Sequence, residues 1–235
     1  MAGHDLIDLE SINMRLESDG DAWQPTPHGL TLARVLHEQP ELVRDASVLE
    51  LGAGLAVHTV LIERAGAKSV TATEITQEFL DATRKNMELN GCGSRTEYVV
   101  ADWLDLSGCF DVIVANPPFA QSGKQNRRYF MDDLILNGFK RLNPGGRLVF
   151  IQSSMADLAR TKRTLDYNGY DMRVLYESRG PFRDYYYEDP TFMAEIQQVE
   201  GAFEMVDGKE WETLTAIEAT LRPYTPPATA HAVVD

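Results

Sequence analysis

Only two cysteines, Cys92 and Cys109, occur in 235 residues, spaced like neither a metal clip nor a redox pair. A disulfide framework and a sulfur-held metal are thereby excluded, and free thiols fit a reducing compartment. Long apolar runs are also missing. Nothing approaches the ~20 residues of a membrane span, and the first ten residues carry Asp5, Asp8 and Glu10 rather than the basic and apolar regions of a secretory signal. The expectation is a cytoplasmic protein with no membrane partner. Basic side chains are scarce, 22 Lys and Arg against 36 Asp and Glu, for a formal net charge of −14. Nucleic acids are held through their phosphates by Lys and Arg, so this balance disfavours a nucleic-acid partner and favours a basic protein or a small cationic molecule. Lys124, Arg127 and Arg128 form the one basic cluster near the motif singled out below, and such a run reads first as a solvated face. No Ser-His-Asp order, catalytic carboxylate pair or His-x-x-x-His spacing stands in a supporting context. No metal site is expected.

What the chain does hold is 43% apolar residues, ample for one core. Residues 1–22 are polar and acidic and read as an arm or a short helix. Residues 23–221 read as one domain, and 222–235, rich in Pro and Ala, as a disordered tail. After a proline-rich segment at 23–29, a short helix is predicted at 30–37. Strands are predicted at 47–51, 69–73, 96–100, 111–115 and 147–152, and helices at 57–65, 77–90 and 129–142. The turn 143–146 separates the last of these helices from the fifth strand. Ser154 to Asp157 reads as a capping box opening a helix that stops near Gly169. Residues 172–176 and 192–199 read as a closing pair of strands around an aromatic loop, 179–187. The alternation implies an α/β fold: a doubly wound, mostly parallel seven-stranded sheet with a C-terminal antiparallel strand, its ligands at the carboxyl ends of the strands.

Three motifs stand where that fold puts its chemistry. Glu50-Leu51-Gly52-Ala53-Gly54-Leu55-Ala56 spans the first strand-to-helix turn, and its glycines let backbone N–H groups approach a ligand. A dinucleotide fingerprint needs a third glycine where Val57 stands, so a nicotinamide cofactor is disfavoured. Glu74 ends the second strand twenty residues after Gly54, the spacing at which a carboxylate accepts from ribose hydroxyls. Asp102 and Trp103 follow the third strand. They suit an adenine, by hydrogen bond and ring packing, ahead of the plainer reading as a helix cap beside a core tryptophan. The most specific signal is the strand that ends in Asn116-Pro117-Pro118-Phe119. Prolines cannot continue a central strand, so the chain turns there, leaving an amide, a carbonyl and a flat ring suited to a planar nitrogen. His28 is a further contact candidate, and His58 reads as structural.

On these residues the chain resembles the class I S-adenosylmethionine-dependent methyltransferases over about residues 23 to 200. It is most similar to the Asn-Pro-Pro-aromatic branch, which includes the glutamine N5-methyltransferases of release factors and ribosomal proteins (methyltransferase small domain) and several adenine and guanine N-methyltransferases. The resemblance implies a Rossmann-like fold and S-adenosyl-L-methionine as cofactor. By it Glu50, Gly52, Ala53 and Gly54 line the methionine end, with Asn116 beside them. Glu74 takes the ribose, and Asp102 with Trp103 the adenine. Asn116, Pro117, Pro118 and Phe119 carry catalysis. The implied activity is N-methylation of an amide-like nitrogen, a protein glutamine first. A small-molecule N-methyltransferase, an RNA or DNA base enzyme and an inactive cofactor-binding partner subunit are the alternatives. Two departures bear on the acceptor: residues 1–22 leave no room for the helical amino-terminal domain of the release-factor enzymes, and the motif's aromatic is Phe119 rather than Tyr.

Overall fold

The computed structural model describes residues 5–18, 25–120, 123–124 and 126–223. The predicted tail therefore lies, from residue 224, outside the described residues, as do both ends of the predicted arm. The arm itself is a correction. It forms an antiparallel hairpin, β1 (Asp5–Leu9) and β2 (Met14–Ser18), with Asn13 in the left-handed region at φ 47°. Met14 and Leu16 alternate inward and are buried with Ile12, a period-two pattern too short to stand out among acidic neighbours. Helix α1 (Pro27–Glu38) follows, begun by Pro27 and capped by the Thr26 hydroxyl, which accepts from Gly29 N at 3.2 Å.

Next come β3 (Ser47–Leu51), α2 (Val57–Arg64), β4 (Ser69–Glu74), α3 (Gln77–Leu89), β5 (Thr96–Val100), β6 (Phe110–Ala115), α4 (Tyr129–Asn137), β7 (Leu142–Ser153) and α5 (Leu158–Tyr167). Asn86 and Asn90, one turn apart on α3, present their amides to the β2 backbone, exchanging hydrogen bonds with Glu17 and Arg15 as a partner strand would. The five strands β3 to β7 pair in parallel in the order β5-β4-β3-β6-β7. Val48, Val112, Val114, Val149 and Ile151 pack on the α1–α2 face, and Leu49, Ile113, Ala115, Leu148 and Phe150 on the opposite one. Both faces are covered, which is why these strands read as unbroken apolar runs.

The carboxyl-terminal third departs from expectation. β8 (Tyr170–Pro181) runs past the predicted strand into the first three residues of the predicted aromatic loop. Residues 192–199 are no strand: α6 (Pro190–Ile196) starts there, capped by Asp189 with Pro190 at its first position. The closing strand is β10 (Lys209–Leu221), which lies antiparallel between β7 and β8 and carries the short β9 (Glu204–Val206) on its edge. Asp207 and Gly208, at φ 49° and 77°, make the Asp-Gly hairpin turn between the last two. The main sheet path thus has the expected seven strands, with β9 as an eighth. The capping box shifts as well: Ser153 caps a single 3-10 turn, and Asp157 caps α5 by accepting from Arg160 N.

Candidate active site at the carboxyl edge

Strand order reverses between β3 and β6, and at such a switch point the loops diverge and leave a crevice at the carboxyl ends. Register then decides what lines it. Leu51 pairs with Thr73 on one side and Ala115 on the other, and Glu74 pairs with Val100. Gly52, Glu74 and Asn116 therefore leave neighbouring strands at one level, with Asp102 just beyond β5. The predicted residues fall along one edge in the order Asp102 and Trp103, Glu74, Gly52, Asn116, spanning three strand spacings, or ~14 Å.

Gly52 and Gly54 sit at φ 72° and 53°, in the left-handed region, and Ala56 at 68°. A Cβ at either glycine meets nothing within 4 Å, so space lies open over the turn. Glu74 steadies that turn: its Oε1 accepts from Gly54 N at 2.6 Å and its Oε2 from Ile75 N at 3.2 Å. Burial pushes the Glu74 carboxyl up, against those two hydrogen bonds. Glu50 is buried beneath the turn, its Oε2 accepting from the Thr59 hydroxyl at 2.5 Å, while Oε1 has no hydrogen-bond partner and lies 3.3 Å from His58 Nδ1. His58 Nε2 donates to the Gly29 carbonyl at 2.9 Å. The helix histidine thus ties the glycine turn to the first turn of α1, the structural part read from sequence. A Cβ at Gly29 would stand 3.6 Å from Asn116 Nδ2, so α1 also walls the Asn116 amide.

Asp102 is exposed and Trp103, at φ 54°, packs edge-on against Phe130 with ring centroids 4.9 Å apart; its Nε1 is buried without a partner. On the other flank Pro117 is buried, Pro118 exposed, and Phe119 meets Phe192 of α6 edge-on at 5.9 Å. Phe192 belongs to a small second core with Phe182, Tyr186 and Ile196, a cap that sequence reasoning missed because α6 was read as a strand.

The basic cluster is also corrected. Arg127 is only 17% exposed; it donates to Ala120 O, Asp189 and Glu195 at 2.7–2.8 Å and stacks over the Phe192 ring at 4.9 Å. Arg128 is buried against Asp132 and Thr161, and Lys124 lies over the Tyr129 ring at 4.9 Å. The two arginines are spent on internal partners rather than forming a solvated face, while Lys124 stays exposed. Two open clefts of about 330 and 470 Å³ flank the hairpin and Arg64, at the opposite edge of the sheet and without any of the predicted site residues. Among the described residues no cluster of His, Cys, Asp and Glu could hold a metal ion, and no helix is long and apolar enough to cross a membrane.

Fold and edge together define a cofactor-dependent α/β enzyme class, with the candidate residues gathered at the switch point. Residues 30–174 match the family model described as methyltransferase small domain, and the chain belongs to that family. It is 24% identical over 195 residues to an inferred protein N5-glutamine methyltransferase of Methanocaldococcus jannaschii, covering 76% of this chain and 95% of that one. It is 30% identical over 108 residues to the ribosomal RNA small subunit methyltransferase C of Shigella flexneri, covering 46% of this chain but only 31% of that protein. The crystal structure of a Pyrococcus furiosus methyltransferase shares the fold, with a TM-score of 0.57 at 22% identity over 88% of this chain and 90% of that one. The protein is an S-adenosyl-L-methionine-dependent methyltransferase.

The residues present fit that cofactor. The carboxyl edge has open space over Gly52 and Gly54, with Glu50 Oε1 beneath the turn and Trp103 Nε1 beyond β5, both buried without a hydrogen-bond partner. It also has the acceptor oxygens of Glu74 and Asp102 that hydroxyl and amine groups require.

Proposed function

We propose that this chain is an N-methyltransferase acting on a planar amide-like nitrogen, a protein glutamine side chain. In this reading Asp102 and Trp103 hold the adenine of S-adenosyl-L-methionine, Glu74 the ribose, and Glu50 with the 52–54 turn the methionine end. When bound, the cofactor supplies an electrophilic methyl group. An amide nitrogen is a poor nucleophile because its lone pair is delocalised into the carbonyl. Asn116 Oδ1 and the Pro117 carbonyl accept its two N–H groups, turning the lone pair toward the methyl, while Phe119 packs on the flat amide and fixes its plane. Orientation of this kind supplies ~7 kcal/mol or more in favourable systems. No strong base is required, and the proton leaves to water.

The observation that carries this reading is the register that sets the Asn116 elbow beside the glycine turn, with Phe119 braced by Phe192. The local charge favours a basic polypeptide as acceptor. From Arg183 to Glu212 nine carboxylates stand against two cations, Arg183 and Lys209, and the arginines after the elbow are already paired. The ribosomal RNA methyltransferase among the relatives supports a second reading, a nucleobase nitrogen. Tritiated cofactor separates the two. The protein is offered a basic glutamine-containing peptide, total RNA and a small-molecule extract. Label in the peptide, recovered as N5-methylglutamine, is expected, and label in RNA alone overturns the glutamine assignment.

Arg127 supplies a test of the ring's bracing. Its guanidinium makes three differently directed bonds and a stacking contact that an ammonium cannot reproduce. Arg127→Lys is expected to slow methyl transfer about tenfold, the scale of one or two lost charged hydrogen bonds. Calorimetric affinity for the cofactor stays within twofold. Equal losses in both would place Arg127 in the cofactor site instead.

A further inference from the structure

Glu212 opens the inward-facing row of β10 that continues with Leu214 and Ala216 into the core, and it is 3% exposed. A carboxylate there costs desolvation that only close donors offset. Its Oε1 accepts from the Tyr186 hydroxyl at 3.1 Å. Its Oε2 has no hydrogen-bond partner and lies 3.6 Å from His28 Nε2. Arg183 closes a ring: Nε donates to the Tyr186 oxygen at 3.3 Å and Nη2 to His28 Nδ1 at 3.4 Å. A guanidinium only donates, so Nδ1 is the accepting nitrogen and the proton of the neutral imidazole sits on Nε2, facing the carboxylate. Burial, then the Arg183 charge, pushes the His28 imidazole down to about 3, in keeping with that neutral form.

This ring joins three elements that wall the reaction centre. His28 precedes Gly29, whose carbonyl takes His58 and whose Cα faces Asn116. Tyr186 leads by ring contacts to Phe192, 5.3 Å away, and thence to Phe119. Both the amide and the aromatic wall of the acceptor side thus lead back to one buried carboxylate, whereas the glycine turn is reached only at one remove, through the His58 bond to the Gly29 carbonyl.

We propose that Glu212 is a positioning residue for the methyl acceptor, holding the first turn of α1 through His28 and the aromatic wall through Tyr186. The inference rests on the acceptor docking at Asn116. Glu212→Gln keeps the volume but removes the charge facing His28 Nε2 and sets an N–H against either that nitrogen or the Tyr186 hydroxyl, so a purely space-filling role would be rescued by it. The expected result is a KM for the basic glutamine peptide raised about tenfold, a smaller change in kcat, and a cofactor dissociation constant within twofold of wild type. Tyr186→Phe breaks the ring from its other side and is expected to act in the same direction, the double variant being no worse than the more affected single one. Hydrogen exchange supplies a readout that needs no acceptor: amides of residues 26–30 and 184–192 exchange faster in Glu212→Gln, and those of 50–56 do not. An unchanged KM, independent additive losses, or exchange identical to wild type overturns the proposal. If wild type labels only RNA, the glutamine reading fails, and the same KM split measured on RNA together with the exchange pattern decides the role of Glu212.

Discussion

Replacing Asn116 by alanine is expected to lower kcat by ~10²–10³-fold, the scale on which one aimed hydrogen-bonding group acts in a reaction centre, with cofactor affinity unchanged within a few-fold. The reason is positional. Asn116 is the first residue after β6, one strand spacing from Gly52, and α1 closes over its amide at Gly29. A side-chain oxygen there can take an N–H of the acceptor only in one orientation, so deleting it frees the acceptor to rotate. Asn116→Asp keeps an accepting oxygen and is expected to retain part of the activity that alanine loses. Single-turnover transfer of labelled methyl, measured beside calorimetric cofactor binding, checks both. Undiminished turnover in Asn116→Ala removes the elbow from the chemistry.

Much of this edge was legible because its signals are local. A glycine turn, a carboxylate at a strand end and a strand stopped by two prolines each carry their meaning in a few consecutive residues, and parallel strand order brings them together by rule. The cap was not legible for a physical reason. In Phe192 to Val199 the apolar residues sit closely enough to pass for a buried strand, and periodicity does not separate that from a short helix. The Asp189-Pro190 pair, a cap followed by proline at the first helical position, was the overlooked sign. Asp207-Gly208 likewise announced the hairpin that leads into β10. Arg127 was misread because a sequence shows charges but not their partners: Asp189 and Glu195 lie some sixty residues away along the chain, whereas the Arg128 partner Asp132 lies one helical turn on. The ring around Glu212 has the same character, four side chains from three elements, with no spacing that marks it beforehand.

Glu74 is the position where cofactor binding and stability pull apart. Glu74→Ala is expected to weaken S-adenosyl-L-methionine binding by ~1–3 kcal/mol, or roughly fivefold to a hundred-and-fiftyfold, since it deletes a charged acceptor and also releases Gly54 N from the 2.6 Å bond that steadies the turn. The charge itself opposes folding. Burial raises the folded carboxyl above its ordinary 4.5, so the folded chain binds that proton more readily than the unfolded chain. Its contribution to stability is present below the ordinary value and is lost as pH rises toward the folded one. Wherever that carboxyl is ionised the unliganded fold carries a partly buried charge at a cost, and Glu74→Gln is expected to melt no lower than wild type while binding the cofactor more weakly. Binding should also weaken in wild type as pH falls toward the raised value, because the protonated form accepts from hydroxyls less well, and that dependence should vanish in Glu74→Gln. Calorimetry at two pH values with matched thermal melts tests all of it, and a dissociation constant indifferent to both substitutions removes Glu74 from the site.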